Sequence, residues 1–143
     1  MVDDMGILRT DVEIESHARP GARHLLRNVI VDTGAELSWA PATVLESLGV
    51  ERVKKYRFQQ ADGSPLERDI GFAIVRAEGR ITIDEIVFGE PGDLILLGAR
   101  SLEGLNLKVD LVGKRLVSGG PILAVSAVGG TLPAAPRRSR RAA

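Results

Sequence analysis

The chain has 143 residues, 44% of them apolar, with no cysteine and a formal net charge of +0. That is enough for one domain with a real core. It excludes a disulfide framework, a thiol nucleophile and thiolate metal sites, and it leaves no global electrostatic case for nucleic acid or acidic membranes. Aromatics make up only 3%, so Val, Leu, Ile and Ala must fill the core. The charge is uneven: Arg137, Arg138, Arg140 and Arg141 crowd the end of the chain and leave the body mildly acidic. Met1-Val2-Asp3-Asp4 shows no basic region followed by an apolar run, so no secretory signal is expected. No apolar stretch approaches the roughly 20 residues that span a bilayer. The expectation is a soluble cytoplasmic protein.

Alternation with a period of two, broken by turn residues, dominates the chain. Gly6 to Glu15 reads as a strand with Ile7, Val12 and Ile14 among its apolar residues, and Pro20-Gly21 closes the turn behind it. Arg23 to Val31 is a second strand, fully apolar at its end, which suggests burial on both faces. Pro41 to Leu48 reads as a short helix, with Pro suited to the first turn and Gly49 to the left-handed stop. Arg52 to Gln60 is polar and extended. Ala61-Asp62-Gly63-Ser64 is a hairpin turn, and Leu66 to Ala77 is the return strand. Glu78-Gly79-Arg80 turns into Ile81 to Phe88, and Gly89-Glu90-Pro91-Gly92 is a loop. Leu94 to Leu97 reads as a buried strand that halts at Gly98, and Ser101 to Leu105 as one or two turns of helix. Leu107 to Leu111 and Arg115 to Val117 form a last hairpin, and Pro121 to Val125 is a candidate terminal strand. The residues divide into a domain over 1–128 and a disordered Pro/Ala/Arg-rich tail over 129–143. About eight short strands with little helix favour a compact β barrel or sandwich.

The most informative stretch is Asp32-Thr33-Gly34-Ala35, which closes the apolar run Val29-Ile30-Val31 and precedes Glu36-Leu37-Ser38-Trp39. An acidic residue at the end of a buried strand, followed by Gly two positions on, puts a carboxylate where the backbone turns sharply. The triplet occurs once. Further on come Leu96-Leu97-Gly98, then Leu102-Glu103-Gly104-Leu105, then Leu107-Lys108-Val109-Asp110 running into Lys114-Arg115-Leu116-Val117.

On these motifs, over roughly Met5 to Val125, the chain resembles the retropepsin-like (clan AA) aspartic peptidases, particularly their small bacterial single-domain members. The resemblance implies an all-β fold: a closed acid-protease-like barrel with one or two short helices, half of a two-fold symmetric dimer. Two carboxylates at hydrogen-bond distance cannot both ionise, so they share one proton. One acts as base toward a water between them, and the other polarises the scissile carbonyl. With a single triplet in a chain too short for two lobes, both carboxylates would be Asp32, one from each subunit.

The other roles follow from the resemblance as well. The Thr33 hydroxyl would bond across the two-fold axis, and Gly34 would let substrate backbone approach. Ala35 lacks the hydroxyl of pepsin-like enzymes, which implies a milder pH optimum than pepsin's. Ala35 and Glu36 would contact substrate; Leu96, Leu97 and Gly98 would pack beneath the catalytic loop and line the cleft. Asp62 and Gly63 fall where the family places its flap over an extended peptide. Pro121 to Val125 could interleave with a second copy. No metal or cofactor is implied. The segment from Tyr56 to Arg68 is polar and less Gly-rich than a retroviral flap, and the tail beyond Val128 has no counterpart in the family.

Plainer readings stand beside these. Asp-Thr-Gly after a strand is good turn chemistry, Leu-Leu-Gly is core plus a stop, and Asp-Gly turns hairpins of every function. Trp39 is expected to be packing, and His17 and His24 exposed loop-edge residues without metal-site spacing. The rival function is a non-catalytic peptide- or protein-binding module on the same scaffold. A third reading, nucleic-acid contact through the Arg tail, predicts binding that weakens steeply with salt.

Overall fold

The computed structural model describes residues 6–125. The proposed tail over 129–143, with its arginines, lies outside these, as do Met1-Val2-Asp3-Asp4. The fold is all-β with two short helices, and among the described residues there are nine strands.

β1 (Arg9–Glu15) places Thr10, Val12 and Ile14 on one buried face and carries a bulge between Thr10 and Val12. A tight turn, in which Gly21 sits at φ 93° and its N–H donates to the Glu15 carboxylate (2.9 Å), leads to β2 (Arg23–Val31), antiparallel to β1. The Gly21 N–H, ahead of the Arg76 guanidinium, holds this nearly buried carboxyl below the usual range. The apolar end of β2 is covered unevenly: Val29 is buried, while Ile30 and Val31 are half-buried. β3 (Ser38–Pro41) follows the Asp32 loop and feeds directly into α1 (Ala42–Leu48). Gly49 ends that helix in the left-handed region, with its N–H on the Glu46 carbonyl.

β4 (Lys54–Gln59) and β5 (Pro65–Ala77) form a hairpin across Asp62-Gly63, in register from Gln59↔Pro65 to Lys54↔Ile70. β5 continues beyond its partner and pairs with β6 (Arg80–Gly89). β7 is only Leu96–Leu97. The expected strand from Leu94 is shorter because Leu94 points to solvent, 65% exposed, and only the last two residues reach a partner. α2 (Ala99–Gly104) and the hairpin of β8 (Leu107–Asp110) with β9 (Arg115–Ser118) complete the order.

Seven strands form one sheet in the order β1-β2-β7-β3-β6-β5-β4, and β1 pairs a second time, with β5. That second pairing spans Glu13 to Glu15 against Arg76 to Ile74. The sheet therefore curls back on itself, but β4 occupies the first half of β5 and remains an edge. The main core lies inside the curl, built from Val12, Ile14, Val29, Leu45, Val75, Phe88 and Leu97 among others. A second cluster joins Leu37, Ile70 and Val87 with Trp39 and Phe58 between the end of the Asp32 loop and the β4–β5 hairpin.

The expected terminal strand over Pro121 to Val125 does not form. Ile122, Leu123 and Val125 are 82%, 96% and 91% exposed. A strand needs a partner edge, and among the described residues this segment pairs with none. No described helix is long and apolar enough to cross a membrane.

Candidate functional site

The Asp32 loop is fastened from below. β7 lies between the end of β2 and the start of β3, parallel to β2 (Ile30↔Leu96, Val31↔Leu97) and antiparallel to β3 (Trp39↔Leu96). The chain thus leaves β2 on one side of β7 and returns as β3 on its other side. Residues Asp32 to Leu37 must arch over the end of β7, and that arch is the candidate site.

Bonds fix the arch at Asp32, Gly34 and Ala35. The Asp32 N–H donates to the Leu97 carbonyl at 3.0 Å, and the Ala35 N–H donates to the Asp32 carbonyl at 3.2 Å. The Gly34 N–H donates to Asp32 Oδ1 at 2.9 Å. This last bond orients the carboxylate and leaves its second oxygen out of that bond. A Cβ on Gly34 would sit 3.2 Å from that same Oδ1, so glycine here lets the backbone fold tightly over the acid. Asp32 is half-buried, and Thr33 and Gly34 are exposed.

α2 meets the arch from the other side. Its N-terminus has no side-chain cap. Instead the Ala99 and Arg100 N–H groups donate to the Ala35 and Glu36 carbonyls at 2.7 and 3.0 Å. The loop thereby satisfies donors that a helix start leaves open. Gly98 sits where no side chain fits: a Cβ would lie 2.5 Å from the Leu37 carbonyl oxygen.

The structure gathers most of the sequence-predicted residues here. Asp32, Thr33, Gly34, Ala35 and Glu36 form the arch, and Leu96, Leu97 and Gly98 form its floor. Leu96 and Leu97 are 7% and 1% exposed, so within one chain their side chains serve the interior. Asp62 and Gly63 stand apart, at the tip of the β4–β5 hairpin, and their bonds are local. Ser64 donates to Asp62 Oδ1 from its hydroxyl (2.6 Å) and its N–H (2.9 Å), which holds that carboxyl below its ordinary value. The hairpin reaches β3 through its outer half, where Phe58, paired with Leu66 near the turn, sets its ring 5.2 Å from that of Trp39.

Charge also ties the arch to the hairpin. Arg100 donates to Glu36 at 3.0 Å and to Glu85 at 3.1 Å, and Glu85 in turn holds Lys54 of β4. Sequence reading passed over Arg100, Glu85, Ser38, Ser101 and Asp84, because no local pattern marks residues that only the fold brings together. Beside Thr33 and Glu36 lies an open hollow of 340 Å³, bounded also by Arg100, Glu103, Lys108 and Val109. Among the described residues no group of three or more His, Asp or Glu is placed to hold a metal ion.

No family model and no curated protein matches the chain. Among solved structures it is similar to the protease of simian foamy virus (mac), a solution structure, at 20% identity and a TM-score of 0.46, over 66% of this chain and 91% of that one. A likeness of that size establishes neither family nor activity.

Proposed function

We propose that the chain is an aspartic endopeptidase in which two copies assemble one site, each contributing Asp32. The observation that carries this reading is the arch itself. The Asp32 carboxylate at the end of β2 is oriented by the Gly34 N–H and its loop is held by β7 and α2, yet the neighbouring Thr33 and Gly34 stay exposed. One such acid cannot do the chemistry alone, because the reaction needs a base and an acid at the same moment. Two copies facing each other across a two-fold axis supply both. Their shared proton leaves one oxygen charged, to draw a proton from a water, while the other carboxyl donates to the carbonyl under attack. The water oxygen adds to the carbonyl carbon. Collapse of the adduct breaks the C–N bond, and the nitrogen leaves with a proton. The mechanism asks for no metal or cofactor.

The rest of the arrangement suits that role. Thr33 borders the hollow beside β8, where a second copy would have room to approach. The apolar side chains of Leu111, Val112, Ile122, Leu123 and Val125 are left in water by the single chain, which favours association. The β4–β5 hairpin would cover an extended peptide, with Asp62 and Gly63 at its tip and Phe58, just below the tip, resting on Trp39.

The test is the Asp32→Asn variant against denatured protein substrates across pH. Cleavage is expected to disappear while circular dichroism and sedimentation stay those of the wild type. Cleavage retained by the variant would overturn the assignment. A wild type that cleaves nothing and gains no thermal stability from a peptide mimic of the reaction intermediate would favour a non-catalytic peptide-binding role.

A further inference from the structure

Beneath the arch runs a line of polar groups, two of them shut away from water and the third, Asp84, half-buried. Ser38 and Ser101 are 3% and 0% exposed, and their hydroxyl oxygens lie 2.6 Å apart. The Gly98 N–H donates to Ser38 Oγ at 2.9 Å. At the far end Ser101 Oγ donates to Asp84 Oδ2 at 3.1 Å, and the other oxygen of Asp84 accepts the Glu85 N–H at 2.7 Å. Ser38 follows the arch, Ser101 lies in α2, and Asp84 sits on β6, so only the finished fold brings the three together.

The proton order along this line has one solution. An ionised carboxylate only accepts, so the Ser101 proton goes to Asp84. The Ser38 proton must then go to Ser101, and Ser38 keeps its lone pairs for the Gly98 N–H. The direction is Gly98 to Ser38 to Ser101 to Asp84, with each hydroxyl donating once and accepting once. A buried line of this kind is stabilising only while every member is satisfied.

We propose that Ser38, Ser101 and Asp84 are positioning residues for Asp32, acting by fixing the Gly98 N–H. Gly98 begins the run of three donors, Gly98, Ala99 and Arg100, that face Ser38, Ala35 and Glu36 in turn. Moving the first of them moves the arch, because the Leu37 and Ala35 carbonyls leave Gly98 no room even for a Cβ, which would lie 2.5 and 2.9 Å from their oxygens. Asp84 sets the direction from the far end. In Asp84→Asn one side of the carboxylate becomes a donor. If the amide nitrogen faces Ser101, both hydroxyls reverse and the Ser38 proton loses its acceptor. If it faces the Glu85 N–H, two donors meet. The role in catalysis rests on the peptidase reading above; the role in holding the arch does not.

The experiment compares the amide resonances and peptide hydrolysis of the full-length wild type with those of Asp84→Asn, Ser38→Ala and Ser101→Ala. Ser47→Ala is the control, since Ser47 Oγ bonds only the Val44 carbonyl on α1. Asp84→Asn is expected to shift the amides of Gly98 and residues 32–36. It should lower kcat about tenfold, the rate equivalent of one lost hydrogen bond, with KM changed less than about twofold. Ser47→Ala should move neither. Asp84→Asn nearly conserves shape, so it remains informative if a serine variant fails to fold. Unmoved amides over 32–36, or moved amides with kcat intact, would overturn the proposal. If the wild type cleaves nothing, the peptidase reading fails and the amide shifts alone decide: shifts over 32–36 sustain the positioning role, and their absence ends it.

Discussion

Gly98 shows how little freedom the site leaves at the scale of one residue. A Cβ there would meet the Leu37 carbonyl oxygen at 2.5 Å and that of Ala35 at 2.9 Å, both backbone atoms of the arch. Gly98→Ala is therefore expected to cost about 1–3 kcal/mol and to lower the melting temperature by several degrees. A thermal melt unchanged by the substitution would contradict the packing described. Asp93 gives a prediction tied to pH. Arg68 donates to both its oxygens, at 2.7 and 2.9 Å, and these bonds hold the Asp93 carboxyl below the ordinary carboxylate range. A folded-state value below the unfolded one of about 3.9 means the stabilisation is complete above that pH. It fades as the pH falls through the lower, folded value. The urea midpoints of wild type and Asp93→Asn should differ clearly at pH 7 and converge below about pH 4. A gap that persists unchanged into strong acid would show that the ion pair is not its source.

At the scale of elements, the β4–β5 hairpin is anchored to the strand behind the arch by one ring contact, Phe58 on Trp39. Trp39 is the only tryptophan, so its emission reports that contact directly. Phe58→Ala should shift the emission to the red and open Trp39 to a soluble quencher; an unchanged spectrum would mean the hairpin is held against β3 by something else. The hairpin was legible from sequence because Asp62-Gly63 and the flanking alternation are local signals. So were β1, β2, α1 and the position of Asp32 at a strand end. β3 was not, since Ser38 to Pro41 is four residues whose strand character comes from lying beside Val87 and Leu96. The reach of β7 was overstated, because an apolar run from Leu94 looks the same whether or not its first residues find partners. The Ser38–Ser101–Asp84 line was invisible for a stronger reason: nothing in its three separate positions announces a shared bond.

At the scale of the whole molecule, the single chain looks unfinished. Its one candidate acid is oriented but unpaired with another carboxylate, and apolar side chains from Leu111 to Val125 remain in water. A second copy would answer both, and the apolar run at Pro121 to Val125, which finds no edge at home, would be free to find one there. Association of this kind makes activity depend on chain concentration. It also allows a direct reading of how many copies of Asp32 each site needs. Wild type and Asp32→Asn are mixed in equal amounts at fixed total concentration, allowed to exchange, and assayed for peptide hydrolysis. If the site takes one Asp32 from each of two subunits, random pairing leaves about one quarter of the all-wild-type rate. A rate of about one half, the value for chains that each work alone, would contradict the account.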